Sequence, residues 1–252
     1  MHTIVIAQQK GGVAKTTSAA NIAAELARHG RRVLAVDCDP QGSLTLALGG
    51  DPAEVETTIG DAMLSGAPVP IVSTQVLSLD LVPSTRFLAE AEVQLVSKLG
   101  RERYLARALA TVAGRYDYAV IDTPPSLALL TINALTAAEF LFVPVTPGLL
   151  GAAGLRDLLQ TVDEIREGLN PGLKLSGVFL TFADLRSLAG RRAEAELRED
   201  LGELVLTATI SRRIAHEYAA QAGLPAVVWE PHGPAALEYR ALAQEILNRV
   251  EG

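Results

Sequence analysis

Short apolar runs alternate along the chain with amphipathic stretches that have a helical period. Six runs rich in β-branched and other apolar residues predict strands; they lie at residues 3–7, 32–36, 77–82, 118–121, 140–145 and 175–182. Five amphipathic stretches predict helices at residues 16–29, 101–115, 155–167, 191–201 and 234–250. Residues 226–228 are expected to form a further short strand.

The predicted strands are apolar on both faces and are separated by helices, which is typical of a parallel sheet covered by helices on both sides. No Gly-, Ser- or Pro-rich linker and no internal repeat divides the sequence, so we expect one doubly wound α/β domain over residues 1–252. Ligands bind such sheets beyond the carboxyl ends of the strands. The last predicted helix is expected to pack on the core through Leu237, Leu242, Ile246 and Val250.

The composition excludes several classes of protein. An apolar content of 49% with 20% charged residues argues against a disordered chain, and the net charge of −7 argues against a generally basic nucleic-acid coat. The single cysteine, Cys38, excludes a disulfide framework and is expected to be a small buried residue. With no apolar run long enough for a membrane span and no pattern typical of a signal peptide, we expect a cytoplasmic protein.

A glycine turn with two lysines follows the first predicted strand and precedes the first predicted helix. Such a turn can direct backbone N–H groups and a helix N-terminus towards a phosphate. Lys15 would reach the β and γ phosphates, and the Thr16 hydroxyl would bind Mg²⁺. Because two of the chain's four lysines lie here, a chemical role is favoured over an incidental glycine turn. The candidate nucleotide-binding residues are Lys10, Gly11, Gly12, Val13, Ala14, Lys15, Thr16 and Thr17.

Aspartates follow two of the predicted strands. Asp37 and Asp39 come after residues 32–36, and the two-residue period of a strand places both on one side and Cys38 on the other. Asp122 comes directly after residues 118–121. Carboxylates at the carboxyl ends of strands suit Mg²⁺ and water. The alternative is a capped turn with solvated aspartates.

Together these motifs resemble the ParA/MinD type of ATPase. KGGVAKTT is similar to the family's deviant Walker A motif, DCDPQG to its Walker A′ motif, and VIDTPPS to its Walker B motif. The resemblance implies that Lys10 is a signature lysine, which reaches the nucleotide of a second subunit across a dimer interface. It also implies catalytic roles for Lys10, Lys15 and Asp39, with Asp39 positioning or activating the attacking water. Asp37 and Asp122 would support the Mg²⁺ ion.

The stretch after the Walker B motif resembles the ParA branch of this family most closely. The implied function is chromosome or plasmid partition by an ATPase that uses ATP and Mg²⁺ and dimerises around ATP. The ATP-bound homodimer would bind DNA without sequence preference on the nucleoid, and a ParB-like centromere-binding partner would stimulate hydrolysis. Two alternatives stay open, an ATPase that positions non-DNA cargo and a MinD-like membrane-cycling regulator. No membrane partner is expected, because the last predicted helix has mixed charges and no basic face.

The resemblance places DNA contacts in the C-terminal third of the chain. The candidates there are Arg186, Arg212 and Arg213, with Arg191 and Arg192 as further basic residues. Residues 184–216 contain six arginines and six carboxylates. The segment is therefore neutral on average, and only its arrangement in three dimensions could separate a basic surface from a salt-bridged one.

Overall fold

The computed structural model describes residues 1–147, 149–183 and 187–252. The strands of the described residues are β1 (His2–Ile6), β2 (Val33–Asp37), β3 (Val72–Ser73), β4 (Leu79–Val82), β5 (Tyr118–Asp122), β6 (Phe140–Val145), β7 (Lys174–Thr181) and β8 (Val205–Ile210). They form one sheet in the order β3-β4-β2-β5-β1-β6-β7-β8. Only the short edge strand β3 runs antiparallel to its neighbour among these described strands.

Helices cover both faces of the sheet. They are α1 (Lys15–Arg28), α2 (Ser43–Ala47), α3 (Ile59–Ser65), α4 (Phe87–Leu95), α5 (Tyr104–Ala110), α6 (Leu129–Ala137), α7 (Leu149–Gly168), α8 (Leu188–Leu201), α9 (Ala215–Gln221), α10 (Ala226–Trp229) and α11 (Pro234–Glu251). This architecture confirms the predicted α/β class with a mostly parallel, doubly wound sheet. Within the described parts of the chain, no helix is both long and apolar enough to cross a bilayer.

Alternate residues of the central strands supply two separate cores. In β1, Val5 faces the core under α3 to α7, while Ile4 and Ile6 face the core under α1 and α11. All three side chains are fully buried. This explains why the strand is continuously apolar, since successive side chains point to opposite faces and both faces are covered.

Two sequence predictions were wrong in type or extent. Residues 226–228 belong to helix α10 rather than to a strand, and the Val227 N–H donates to the Asn21 side chain at 3.0 Å. A three-residue apolar run does not distinguish a buried helix from a strand. Residues 101–115 form two 3₁₀ turns around the short α5 instead of one helix. The Asn133 side chain accepts the Leu105 N–H at 3.1 Å, which fixes the start of α5 from outside the segment.

Helix α11 packs on the core mainly as expected. Leu242, Ile246 and Val250 are buried against the sheet face that α1 also covers. The expectation for Leu237 was wrong, because this side chain is 52% exposed. Leu237 lies in the first turn of the helix and points away from the buried stripe.

We expect Leu242→Ala to lower the free energy of unfolding by about 2–5 kcal/mol, because it leaves a cavity in a closely packed core. Leu237→Ala removes the same atoms from an exposed site of the same helix and should change this free energy by no more than about 0.5 kcal/mol. Urea denaturation followed by circular dichroism measures both. Equal effects of the two substitutions would contradict the docking of α11 described here.

Candidate active site

The loop between β1 and α1 has the backbone shape of a phosphate-binding turn. Gly12 has a φ of 70° and Ala14 has a φ of 62°, both in the left-handed region. Ala14 directly precedes α1, whose first turn contains Lys15 and Thr16 and no acidic side chain. The free N–H groups and the positive end of the helix dipole therefore meet at this turn, where an anion is stabilised.

The two lysines of the turn lie in different surroundings. Lys15 is 7% exposed, and its Nζ donates to the Lys10 carbonyl at 3.2 Å. Burial lowers the pKa of Lys15, while Asp122 and Asp39 raise it and so favour the charged form. The Lys10 side chain is half-buried and donates from Nζ to the Thr146 hydroxyl at 3.2 Å, in the loop after β6. Lys15 therefore serves this chain's own cleft, whereas Lys10 lies at its border.

Thr16 and Asp122 form the candidate Mg²⁺ site. The Thr16 hydroxyl donates to Asp122 Oδ2 at 2.6 Å, and Asp122 is fully buried. Its second oxygen, Oδ1, is buried without a hydrogen-bond partner among the described residues. Burial raises the pKa of Asp122 well above its usual value, and nearby Asp37 raises it further. An unpartnered carboxylate oxygen beside a threonine hydroxyl fits a cation, because a bound cation would offset the cost of burying this charge.

The other carboxylates of the site do not complete a protein cage. No group of three or more His, Cys, Asp or Glu side chains within the described ranges is arranged to hold a metal ion. Magnesium commonly uses one or two carboxylates together with the oxygens of a substrate phosphate. Thr16 and Asp122 would hold the ion in this way, and it would there neutralise and orient the phosphates.

Asp37 and Asp39, which were predicted to lie on one side of their strand, have different hydrogen-bond partners. Asp37 is fully buried, and its Oδ2 accepts the Thr45 N–H at 2.8 Å and the Thr45 hydroxyl at 2.7 Å. Burial raises the pKa of Asp37 to about 6. Asp39 lines the cleft, and its Oδ1 accepts the Gln41 N–H at 2.9 Å. Asp39 is thus placed to contact a water molecule in the cleft, while Asp37 anchors α2 behind it.

Cys38 lies between these aspartates and has no access to the cleft. It is 1% exposed and belongs to the core under α3 to α7. Burial and the surrounding aspartates raise the pKa of its thiol. This confirms the expectation of a small buried residue.

The cleft continues from the phosphate-binding turn to α9 and α10 and has a volume of about 480 Å³. The cleft also contains Phe182, which has a φ of 54°. The Arg212 guanidinium lies 5.6 Å from the centre of the Phe182 ring. Sequence reasoning missed Phe182, although it ends a predicted strand where ligands bind this fold. The residues after position 180 that line the cleft are Phe182, Arg212, His216, Ala219, Ala220, Leu224, Pro225 and Ala226.

Two of the predicted DNA contacts, Arg212 and Arg213, lie within the described residues. Arg212 faces the cleft, and Arg213 donates to Glu238 Oε1 from Nη2 at 2.6 Å and from Nε at 3.2 Å. Glu238 also accepts the Ser211 N–H at 2.9 Å. Arg186 lies outside the described residues. The DNA contacts of these arginines remain predictions, and both described arginines already have partners within the chain.

Comparison with known proteins identifies the family. The model of a family described as an AAA domain matches residues 1–175. The sporulation initiation inhibitor protein Soj of Bacillus subtilis is 42% identical over 245 residues, which cover 96% of this chain and 97% of Soj. This chain belongs to the ParA/Soj family of ATPases. Within the family's fold, the septum site-determining protein MinD of Pyrococcus horikoshii with Mg-ADP has a TM-score of 0.79 at 27% identity, covering 97% of this chain and 95% of MinD.

A second solved structure is similar over the whole length of this ParA/Soj-family chain. It is a cobyrinic acid a,c-diamide synthase of Mycobacterium smegmatis with bound ADP and magnesium, 36% identical with a TM-score of 0.87. It covers 100% of this chain and 96% of that one. Both of these similar structures, at 36% and 27% identity to this chain, therefore contain ADP and magnesium.

The left-handed Ala14 is a testable feature of this ParA/Soj-family turn. Left-handed backbone costs an L-residue roughly 1–2 kcal/mol, whereas glycine adopts it freely but loses about 0.5–1 kcal/mol in entropy. We therefore expect Ala14→Gly to leave the free energy of unfolding unchanged or raised by up to about 1 kcal/mol, with ADP affinity retained. Ala14→Val should lower stability by about 1–3 kcal/mol, because a β-branched residue is strained at this φ.

Urea denaturation and titration with fluorescent ADP measure these effects. Ala89→Gly in the exposed part of α4 is the matched control, since at a helical φ the same change should cost about 1 kcal/mol. A loss of stability in Ala14→Gly as large as in this control would show that the turn is not strained at Ala14.

Proposed function

We propose that this protein is a Mg²⁺-dependent ATPase that dimerises around ATP and segregates DNA, as a chromosome or plasmid partition protein. The observation that carries this proposal is the arrangement of Lys15, Thr16 and Asp122 at one end of a cleft in a ParA/Soj-family chain. A buried lysine and an unpartnered carboxylate oxygen meet there. That pair suits a phosphate with its magnesium ion and has no other evident role in the described residues.

The charged and polar residues beside the phosphate-binding turn have distinct roles in hydrolysis. Lys15 binds the β and γ phosphates, and Thr16 with Asp122 holds Mg²⁺. Asp39 orients the attacking water, because its carboxylate lies in the cleft and is fixed by the Gln41 N–H. Asp37 supports the magnesium shell indirectly, through the negative charge that it places beside Asp122.

Dimerisation supplies the second lysine. Transition-state charge on the transferring phosphate requires a cation beyond Lys15 and Mg²⁺, the role that an arginine finger fills in other nucleotide hydrolases. Lys10 is held at the border of its own cleft by Thr146, and from there it reaches the nucleotide of a second copy. Hydrolysis then depends on the dimer.

The ATP-bound dimer binds DNA without sequence preference and so associates with the nucleoid in the cytoplasm. A ParB-like centromere-binding protein stimulates hydrolysis, and the resulting monomers leave the DNA. Non-DNA cargo is the alternative within the same mechanism. A MinD-like cycle through α11 is disfavoured, because the apolar stripe of α11 is already buried in the core.

DNA binding with ATP, with ADP and without nucleotide is the decisive comparison. A 60-base-pair duplex should bind the protein with a non-hydrolysable ATP analogue and much more weakly in the other two states. Light scattering should show a dimer only with the analogue. An ATP-dependent dimer that does not bind DNA would favour the non-DNA cargo, and the absence of any dimer would contradict the proposal.

Lys10→Ala should leave the affinity for the ATP analogue within about threefold, because its amine contacts Thr146 and not its own cleft. The variant should remain monomeric, bind no DNA and lose at least about tenfold in ATPase rate, since the second cation is missing. Lys174→Ala removes an exposed lysine at the opposite end of the sheet and serves as the control. Normal dimerisation and turnover of Lys10→Ala would show that Lys10 is only a turn residue.

A further inference from the structure

Two segments far apart along the chain line the nucleotide cleft beside the phosphate-binding turn. The first, which we call the α2 wall, contributes Ser43 and Ala47. The second, which we call the α9 wall, contributes Ala219, Ala220, Leu224 and Pro225. With phosphates at the turn before α1, a nucleoside lies against the other lining residues, many of which belong to these two walls. The position of the walls relative to one another therefore sets the space available for the nucleoside.

The two walls meet backbone to backbone at a pair of glycines. Gly49 follows α2, and Gly223 follows α9. A methyl group added at Gly223 would lie 2.8 Å from Gly49 Cα and 3.3 Å from Gly49 N, and one added at Gly49 would lie 3.2 Å from the Gly223 carbonyl oxygen. Carbon atoms in contact are normally about 3.5–4.0 Å apart. The observed approach of the walls therefore requires glycine at position 223.

The α2 wall depends on contacts outside its own helix. Helix α2 has five residues and is too short to be stable alone. Its Thr45 donates from Oγ1 to Asp37 Oδ2 at 2.7 Å and accepts the Ser84 N–H at 2.9 Å. Thr45 thus joins α2 to the strand that carries the aspartates, and Gly49 joins it to the α9 wall.

The α9 wall is centred on Gly223. The Gly223 N–H donates to the Ala220 carbonyl at 3.0 Å, and the Leu224 N–H donates to the Ala219 carbonyl at 3.0 Å. Ala219, Ala220 and Leu224 all line the cleft, so lining residues flank Gly223 on both sides. A displacement of Gly223 away from Gly49 moves these residues with it.

We propose that Gly223, through its contact with Gly49, is a positioning residue that sets the width of the cleft for the nucleoside. The inference rests on the binding of ATP in this cleft that is proposed above. A methyl group at position 223 overlaps backbone atoms of Gly49, which cannot move aside as the end of a flexible side chain does. Separation of the walls relieves the overlap and removes contacts from the nucleoside. Lys15 and Thr16 lie on α1, outside both walls, and keep their phosphate contacts.

Gly30 provides a matched control. It has a left-handed φ of 79°, close to the 66° of Gly223. It ends α1 with the same pair of hydrogen bonds, from the Gly30 N–H to the Ala27 carbonyl at 2.9 Å and from the Arg31 N–H to the Leu26 carbonyl at 3.3 Å. Beyond its own helix and chain neighbours, a methyl group at Gly30 would meet no atom of the described residues within 4 Å. Alanine is therefore similarly strained at both positions, but only Gly223→Ala separates the walls.

The test compares the wild type, Gly223→Ala and Gly30→Ala in their affinity for ADP and for inorganic tripolyphosphate, each with Mg²⁺. Tripolyphosphate supplies the phosphates without a nucleoside, and isothermal titration calorimetry measures both ligands. Gly223→Ala should bind ADP at least about tenfold more weakly and tripolyphosphate within about twofold of the wild type, because only the nucleoside touches the displaced walls. Gly30→Ala should keep both affinities.

The outcomes separate this inference from the proposed function. A wild type that does not bind both ligands contradicts the phosphate site and with it the proposed function. If the wild type binds both, an unchanged ADP affinity of Gly223→Ala overturns the positioning role. Equal losses for ADP and tripolyphosphate in Gly223→Ala, or an equal loss for ADP in Gly30→Ala, would also overturn it, because the effect would then be a general loosening of the fold or of its turns.

Gly49→Ala keeps the inference testable if Gly223→Ala does not fold. Its methyl group would approach the Gly223 carbonyl oxygen to 3.2 Å, which is a milder overlap than 2.8 Å. The expected loss of ADP affinity is about threefold, with tripolyphosphate affinity unchanged. An unchanged ADP affinity in Gly49→Ala would then overturn the positioning role.

Discussion

Two negative charges buried side by side are the constraint on which the active site depends. Asp37 ends β2 and Asp122 ends β5, and the two residues are direct partners in the parallel pairing of these strands. Both are fully buried, and each pKa is raised chiefly by loss of solvent. Buried carboxylates at this spacing lower the stability of the ligand-free fold, because neither charge is fully compensated. We infer that these two carboxylates stabilise a bound cation.

The surrounding elements each reduce part of this electrostatic cost. Thr45 in the middle of α2 donates two hydrogen bonds to Asp37, and Thr16 at the start of α1 donates one to Asp122. Lys15 brings a positive charge to the same place and is itself buried. Because the pKa of Asp37 is about 6, the folded state binds a proton between roughly pH 4 and 6 that the unfolded state has released. The Asp37 contribution to the unfolding free energy therefore decreases as the pH rises through this range.

The main residues of the active site could be predicted from the sequence, but their contacts with residues far away along the chain could not. Lys15, Thr16 and Asp122 follow strands in a parallel sheet, so their meeting at one edge was predictable from the order of elements. Phe182 and the pairing of Arg213 with Glu238 join residues that are far apart along the chain, and local pattern does not report such contacts. The helix predicted at residues 101–115 failed for the same reason, since Asn133 on another helix sets where α5 begins. Strand β8 was missed because residues 205–210 alternate only weakly between buried and exposed positions.

Chemical denaturation of Asp122→Asn with and without magnesium and ADP tests whether the Asp122 carboxylate holds a cation. A ligand that binds only the folded state raises the unfolding free energy by a known function of its concentration. We expect ligand-free Asp122→Asn to be at least as stable as the wild type, because an uncompensated buried charge is removed. Adding Mg²⁺ to ADP should stabilise the wild type further and leave the variant unchanged. A less stable ligand-free variant that still responds to Mg²⁺ would contradict the assignment of Asp122 to the cation.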